Sequence, residues 1–371
     1  MFINQGRLEH LLTPAQYFTP EQHQLELERL FLPSWHLLAS KADLPRNGDF
    51  LTVELFGRPL ILRNFDGDYR AFINVCAHRH CLLTHVRRGN DRRFVCQYHG
   101  WEYNKEGRTG RIPDATCFRP WDRENAQLKT VRTEVCGDLI FICLEKGGLS
   151  LADHLGPYYL RLAQSFAPPY RQAKTWDVNS PANWKVFIEN SLESYHVPIV
   201  HPKTFRNLPA EGLCEHELTD SYTWYKMVDE SLLFLGWCAR RFGLHATRTY
   251  EHHNIHPNLN FICLDGVRLL MTAFPTSATT CRHRACLFTV RGENPDWFHQ
   301  VFGWLLARVI TLFVDKVNKE DLAIYPDVQR GLEASTFRGV IGTREERVYA
   351  FQKYVLDHCG APARDRTIAA G

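Results

Sequence analysis

Between residues 49 and 144 apolar and polar positions alternate in short runs, the period of half-buried strands. The runs 50–55, 59–63, 69–75 and 139–144 predict strands, with turn signals at Phe56-Gly57-Arg58 and Asp66-Gly67-Asp68 between them. Beyond this all-β stretch the period changes. Residues 183–196 predict a helix. Runs 258–264 and 267–274 flank Asp265-Gly266, a hairpin signal in which both turn positions take positive φ, and 284–291 predicts a third strand. Two helices are expected over 297–318 and 320–332, the second ending near Gly331. Residues 19–31 have helical periodicity and are expected to pack on this second region. The pattern implies an α+β chain: an all-β module over 35–150, and a region over 151–371 with an antiparallel sheet and helices, joined by segment 1–34.

Composition narrows the picture. With 371 residues, 44% hydrophobic and 23% charged, the chain supports sizeable cores and about two domains, which excludes wholesale disorder. Forty-four basic against 41 acidic residues leave a net charge of +3, too balanced for a nucleic-acid binder. The opening MFINQGRLEHLLTP has no apolar core of a signal peptide, so a cytoplasmic protein is expected. The longest apolar stretch, 301–314, is interrupted by Arg308 and falls short of the ~20 residues of a spanning helix, so no transmembrane helix is expected. The unusual figures are 12 Cys and 18 His. Reduced cytosolic thiols are buried or bind metal, which turns attention to Cys and His at ligand spacing.

Cys76-Ala77-His78 and, after 17 intervening residues, Cys96-Gln97-Tyr98-His99 form one such set. Each arm offers one thiolate and one imidazole, whereas a zinc finger usually pairs like with like. Mixed arms suit a [2Fe–2S] cluster of Rieske type, two Cys on one iron and two His on the other. Both arms follow predicted strands, and Gly100-Trp101 fits a tight turn with an aromatic cover. A structural zinc site and scattered core residues are the competing readings.

A second set lies in Asn183–His196 and beyond. Glu189, Glu193 and His196 fall on one stripe of a continuous helix, beside an apolar face of Trp184, Ile188, Leu192 and Tyr195. Pro198 is expected to end the helix near Val197, letting His201 fold back toward His196. Two His and a carboxylate make the facial triad of mononuclear non-haem iron. Asp321 is the chosen carboxylate, with Glu320 and Asp315 as competitors. A solvated charged face with two ordinary histidines is the bland alternative.

Together these motifs resemble the catalytic α subunits of Rieske non-haem iron oxygenases, the aromatic-ring-hydroxylating oxygenase family. The resemblance runs from about residue 35 to 351 and rests on three runs in order. These are the cluster motif, N-W-K-x3-E-N-x2-E-x-Y-H-x4-H, and Glu320-Asp321 followed by Val328-Gln329-Arg330-Gly331-Leu332. It implies a helix-grip-like catalytic domain after the Rieske module. It also implies cluster ligands Cys76, His78, Cys96 and His99, and iron ligands His196, His201 and Asp321. Glu193 is implied to bridge the two centres, with Asn190 beside it in the same run as a second catalytic candidate. A homotrimer is implied, one subunit's cluster beside its neighbour's iron. Glu at 193, where many members have Asp, is similar to the carnitine, choline and glycine-betaine monooxygenase branch.

Departures matter as well. Most members read C-P-H-R-G, where this chain has Cys76-Ala77-His78-Arg79-His80. High-potential Rieske proteins bridge a cysteine at the Cys81 position to the residue before the second His. That residue is Tyr98 here, so Cys81 is expected to be a buried free thiol and the potential to lie toward the lower end of roughly −150 to +300 mV. Helix 298–314 is apolar nearly all round, which predicts burial, with an oligomer contact, a membrane-facing patch or a lipophilic channel as alternatives.

The chain has no nucleotide fingerprint and no ferredoxin run. Electrons from NAD(P)H are therefore expected through a separate reductase, with or without a ferredoxin, docking near Arg79, Arg87, Arg88, Arg92 and Arg93. O2 is the oxidant. Glu193 favours a quaternary ammonium substrate with cation–π walls from Trp176, Trp224, Tyr225 or Trp237, and the apolar helix favours a sterol-like or terpenoid one. A Rieske electron carrier without oxygenase activity and an aromatic-acid dioxygenase are the alternatives.

Overall fold

The computed structural model describes residues 3–4, 6–122, 125–205, 214–228, 232–292 and 296–360. The terminal 361–371, assigned by sequence to the second region, lies outside the described residues. Two compact units result: Leu32–Gln164, and the residues up to Phe31 joined to those from Ser165 onward.

In the unit Leu32–Gln164 seven strands form one antiparallel sheet. They are β1 (His36–Ser40), β2 (Asp49–Leu55), β3 (Arg58–Phe65), β4 (Asp68–Ile73), β5 (Arg88–Asn90), β6 (Thr130–Cys136) and β7 (Leu139–Cys143). Their order is β1-β7-β6-β4-β3-β2-β5. The β2–β3 and β3–β4 turns place Phe56-Gly57 and Asp66-Gly67 at positive φ, the geometry that matches strand twist in two-residue hairpins. Cys76 and Cys96 belong to this unit's core, among Ile61, Phe72, Leu83, Phe94, Trp101 and Tyr103. The helices Leu151–Leu155 and Tyr158–Ser165 fall mainly here, not with the second region as the sequence suggested. Leu151, Leu155 and Leu162 are buried, and the Cys136 thiol donates to the Tyr159 carbonyl at 3.0 Å.

The second unit is a seven-stranded antiparallel sheet carrying helices. Its strands are β8 (Tyr170–Ser180), β9 (Cys214–Leu218), β10 (Tyr222–Val228), β11 (Thr249–Ile255), β12 (Leu259–Leu264), β13 (Val267–Ser277) and β14 (Thr280–Val290). Their order is β9-β10-β11-β12-β13-β14-β8. In the β12–β13 turn only Gly266 takes positive φ. Asp265 instead uses its carboxylate to accept from the Thr247 and Arg248 backbone N–H groups at 3.0 and 2.8 Å. The helices that matter here are α1 (Trp184–Leu192), α2 (Val197–Val200), α3 (Leu233–Arg241), α4 (Trp297–Ala334) and α5 (Glu346–Cys359). The N-terminal helix Pro20–Glu26 joins them through a buried pair, Lys185 Nζ to Glu26 Oε1 at 2.6 Å, with Trp184 Nε1 donating to Glu26 Oε2 at 2.7 Å.

Two expectations about α4 change. It is one helix of 38 residues, not two. Lys316 and Glu320, one turn apart at 3.8 Å, span the anticipated break, and Pro326 sits inside the helix. Nor is its apolar half buried all round. Leu306, Ile310 and Val314 enter a core cluster with Cys238, Val267, Leu287 and Val290. Trp297, Phe298, Val301, Trp304, Leu305, Val309, Leu312 and Phe313 are exposed, because one stripe of a helix meets a sheet while the rest faces outward. The helix is long and apolar enough to cross a membrane by length and composition; here its inner stripe is packed in the unit's core.

Candidate metal centres

The two arms of the first unit are built alike. Cys76 N–H donates to the Cys81 carbonyl and Cys96 N–H to the Trp101 carbonyl, both at 2.8 Å. His80 N–H and Gly100 N–H close the inner turns onto the Cys76 and Cys96 carbonyls, both at 3.1 Å. His80 and Gly100 are thus equivalent, and both take positive φ, 57° and 70°. A non-glycine residue in that region costs about 1 kcal/mol, so His80, standing where the second arm has Gly100, keeps its turn at some strain.

Aromatic rings fix the donors. The His78 ring stacks on Trp101 at 4.8 Å with 1° between planes, meets Phe118 edge-on, and lies 4.7 Å from the His99 ring. Tyr103 Oη accepts from Ala77 N–H at 3.1 Å and lies 3.0 Å from Cys76 Sγ, so its own proton is free to point at that sulfur. Burial raises the Cys76 thiol pKa, Tyr103 and a backbone N–H pull it down, and the adjacent Cys96 thiol raises it further. Among the described residues, His78 Nδ1 is buried without a hydrogen-bond partner. Two touching buried thiols and an orphaned imidazole nitrogen are a donor set in want of a cation, which fits an iron–sulfur cluster. Cys81 is a free thiol but only half-buried, contrary to expectation, because it sits at the loop edge with its thiol on the Leu82 carbonyl.

In the second unit the expected long helix breaks early. α1 ends at Leu192 and Glu193 is extended, φ −127° and ψ 171°. The Glu189-Glu193-His196 stripe therefore does not form. The cause is the Glu193 side chain, which reaches forward to accept from Tyr195 N–H, His196 N–H and His196 Nδ1–H. His196 then caps α2, Pro198 sits in its first turn where no N–H is needed, and His201 closes it. Glu189 faces away into a buried network, accepting from Tyr17 Oη at 2.6 Å and Gln352 Nε2 at 3.0 Å.

This geometry brings His196, His201 and Asp321 together, with donor atoms within 4.8 Å of one another. Each imidazole offers Nε2 to Asp321 Oδ1, at 3.7 Å from His196 and 3.0 Å from His201. Each Nδ1 is held by another acid: Glu193 for His196, Glu320 at 2.8 Å for His201. Burial lowers the His201 pKa, but Asp321 and Glu320 together outweigh it and leave it raised. Two imidazole Nε2 atoms and a carboxylate converging on one point fit a divalent metal. Of the competing acids, Glu320 serves His201 and Asp315 pairs with Lys174 at 2.8 Å and with the Trp176 indole. Asn190 Nδ2 donates to Asp321 Oδ1 and to Tyr325 Oη, each at 3.2 Å. Tyr325 had no sequence signal beyond lying one turn after Asp321.

The four aromatic candidates do not converge. Trp176 is occupied by Lys174 and Asp315; Trp237 packs on Phe234 and Phe302 with Arg241 above it. Trp224 and Tyr225 are adjacent on β10 and so point to opposite faces. Of the five arginines, Arg88 pairs with Asp43 and Arg93 with Glu102, while Arg79 lies over Tyr98.

Residues 168–361 match the family described as ring hydroxylating alpha subunit (catalytic domain), and residues 34–132 match the Rieske [2Fe-2S] domain. The chain is 27% identical over 380 residues to the carnitine monooxygenase oxygenase subunit of Acinetobacter pittii, covering 93% of this chain and 94% of that protein. It is 31% identical over 295 residues to the large oxygenase component of the naphthalene 1,2-dioxygenase system of Pseudomonas aeruginosa, covering 67% and 64%. A quaternary ammonium Rieske monooxygenase solved with L-carnitine shares the fold, with a TM-score of 0.76 at 20% identity over 94% of this chain and 95% of that one.

Proposed function

The chain belongs to the ring-hydroxylating α-subunit family of Rieske non-haem iron oxygenases, and from that premise we propose that it monooxygenates a small quaternary ammonium compound. The observation that carries the substrate class is similarity to carnitine monooxygenase subunits over nearly the whole chain, 93% for the Acinetobacter pittii protein. The lipophilic alternative rested on the apolar half of α4, and the residues that made it apolar all round are exposed on the surface. For the cationic head we favour Tyr225 and Tyr250, which share one face of the sheet with ring centroids 6.1 Å apart. Burial, eased by Arg347 and reinforced by the Asp321 charge, pushes the Tyr250 hydroxyl up to about 12.

The enzyme uses a Rieske cluster, mononuclear iron and O2. When bound, the cluster would supply single electrons and the iron would supply O2 activation. We assign Cys76, His78, Cys96 and His99 to the cluster, and His196, His201 and Asp321 to the iron. The protein's part is orientation. Glu193 accepts a hydrogen bond from His196 Nδ1–H and so turns Nε2 toward the iron position. Asn190 holds the Asp321 carboxylate so that one oxygen stays aimed at both imidazoles.

Electrons come from NAD(P)H through a separate reductase, with Arg79 and its basic neighbours as docking site. We further propose a homotrimer in which a neighbour's cluster approaches Glu193. Exposed Tyr195 and Ile199 flank that acid and give an apolar rim to such a contact, and a structural relative is described as transferring electrons between subunits. The test is NADH consumption with a reductase across quaternary ammonium, aromatic-acid and terpenoid panels, scored with product by mass spectrometry. Coupled turnover confined to the ammonium panel is expected; turnover only of the others refutes the substrate class.

A further inference from the structure

We propose that Glu320 is a positioning residue for the iron site, fixing the His201 imidazole as Glu193 fixes that of His196. The inference rests on the reading that His196, His201 and Asp321 hold the iron. Glu320 and Asp321 are consecutive on α4, and they bracket one ring from its two nitrogens. Glu320 Oε2 lies 2.8 Å from Nδ1 and Asp321 Oδ1 lies 3.0 Å from Nε2. The ring itself is 98% buried, so water does not compete with the two acids for its nitrogens. With Nδ1–H donating its hydrogen bond to Glu320, a bound metal takes the Nε2 lone pair.

The arrangement repeats that of His196, with the acid drawn from a different element. Glu193 is three residues before its histidine in the same turn, whereas Glu320 comes from a helix more than a hundred residues away. This placement explains why α4 carries two acids side by side: one binds, the other orients. Glu320 also takes Thr204 Oγ1–H at 3.3 Å, while Lys316 stands 3.8 Å from its other oxygen. Thr204 N–H returns to the His201 carbonyl at 2.9 Å, so ring, turn and helix close a small loop. A rival reading is that Glu320 merely pins residues 201–205 to α4 through Thr204.

The experiment measures Fe(II) affinity of the full-length, cluster-loaded protein by anaerobic chelator competition, with cluster absorption as the internal control of folding. Glu320→Ala is expected to weaken Fe(II) binding about 10–100-fold, the usual cost of removing a group that orients a ligating His. Glu320→Gln keeps an oxygen acceptor and is expected to bind close to the parent, with an unchanged Fe(II) ligand-field spectrum. Thr204→Val removes the pin alone and is expected to leave affinity unchanged. Parental affinity in Glu320→Ala overturns the proposal. So does a loss in Thr204→Val equal to that in Glu320→Ala, or a Glu320→Gln as weak as Glu320→Ala. Asp321→Ala is run in parallel: if it too binds Fe(II) like the parent, the ligand assignment is what fails.

Discussion

The two centres solve one problem by opposite means. In the cluster unit the imidazole and thiols are held by neutral groups: Trp101 under His78, Phe118 at its edge, Tyr103 at Cys76. In the iron unit each imidazole is held by a carboxylate, Glu193 or Glu320, with a third acid, Asp321, between them. Neutral packing suits a site that changes charge by one electron and must not be biased strongly toward either state. Anionic clamping suits a site that must retain a divalent cation with only three protein donors. The difference predicts that the centres fail independently.

The sharpest break is to remove one centre at a time. Cys96→Ser is expected to abolish the cluster absorption and reduce turnover below detection, while Fe(II) binding at the second site survives. Asp321→Ala is expected to give the converse, an intact cluster spectrum with no turnover. Iron analysis beside visible spectroscopy checks both, and loss of both metals in either variant contradicts independence. Next in size is the link between centres. Glu193→Gln is expected to retain both metals and lower coupled turnover by about 10–100-fold or more. Unchanged turnover would remove Glu193 from the account.

Acid should separate the units themselves. Burial pushes His216 and, more strongly, His256 and His283 down, to about 4, 3 and 3, all in the iron unit, whereas the cluster unit has His154 at about 4. These folded values lie below the unfolded ~6.5, so the stability they contribute is present above pH 6.5 and is lost as pH falls toward the folded values. Each group then costs about 1.4 kcal/mol per pH unit. Hydrogen exchange at pH 7 and pH 5 is expected to show the iron unit losing protection first; earlier loss in the cluster unit contradicts this. The smaller effects lie in the cluster loops. Tyr103→Phe removes the proton aimed at Cys76 Sγ and is expected to lower the cluster potential in a redox titration, at a stability cost of about 1 kcal/mol.

Sequence legibility followed locality. The strands and their hairpins are short-range patterns, and so are the three candidate pairs Cys76-x-His78, Cys96-x2-His99 and His196-x4-His201. What escaped was long-range. Nothing near His201 announces Glu320, and nothing near Cys76 announces Tyr103, because each partner is supplied by folding. The helix break at Glu193 was missed because helical periodicity continues through it, while the Glu193 carboxylate hydrogen-bonds the next turn's N–H groups instead. The exposed side of α4 was misjudged because composition cannot say how many faces of a helix find a partner.

The central claim is that one chain holds both a two-iron cluster and a separate mononuclear iron. Its most direct measurement is iron content, with acid-labile sulfide, of the reconstituted protein and of Asp321→Ala. About three iron and two sulfide per chain are expected for the parent, and about two of each for the variant, with the cluster spectrum unchanged. Two iron in both proteins would contradict the account, leaving an electron carrier in place of an oxygenase.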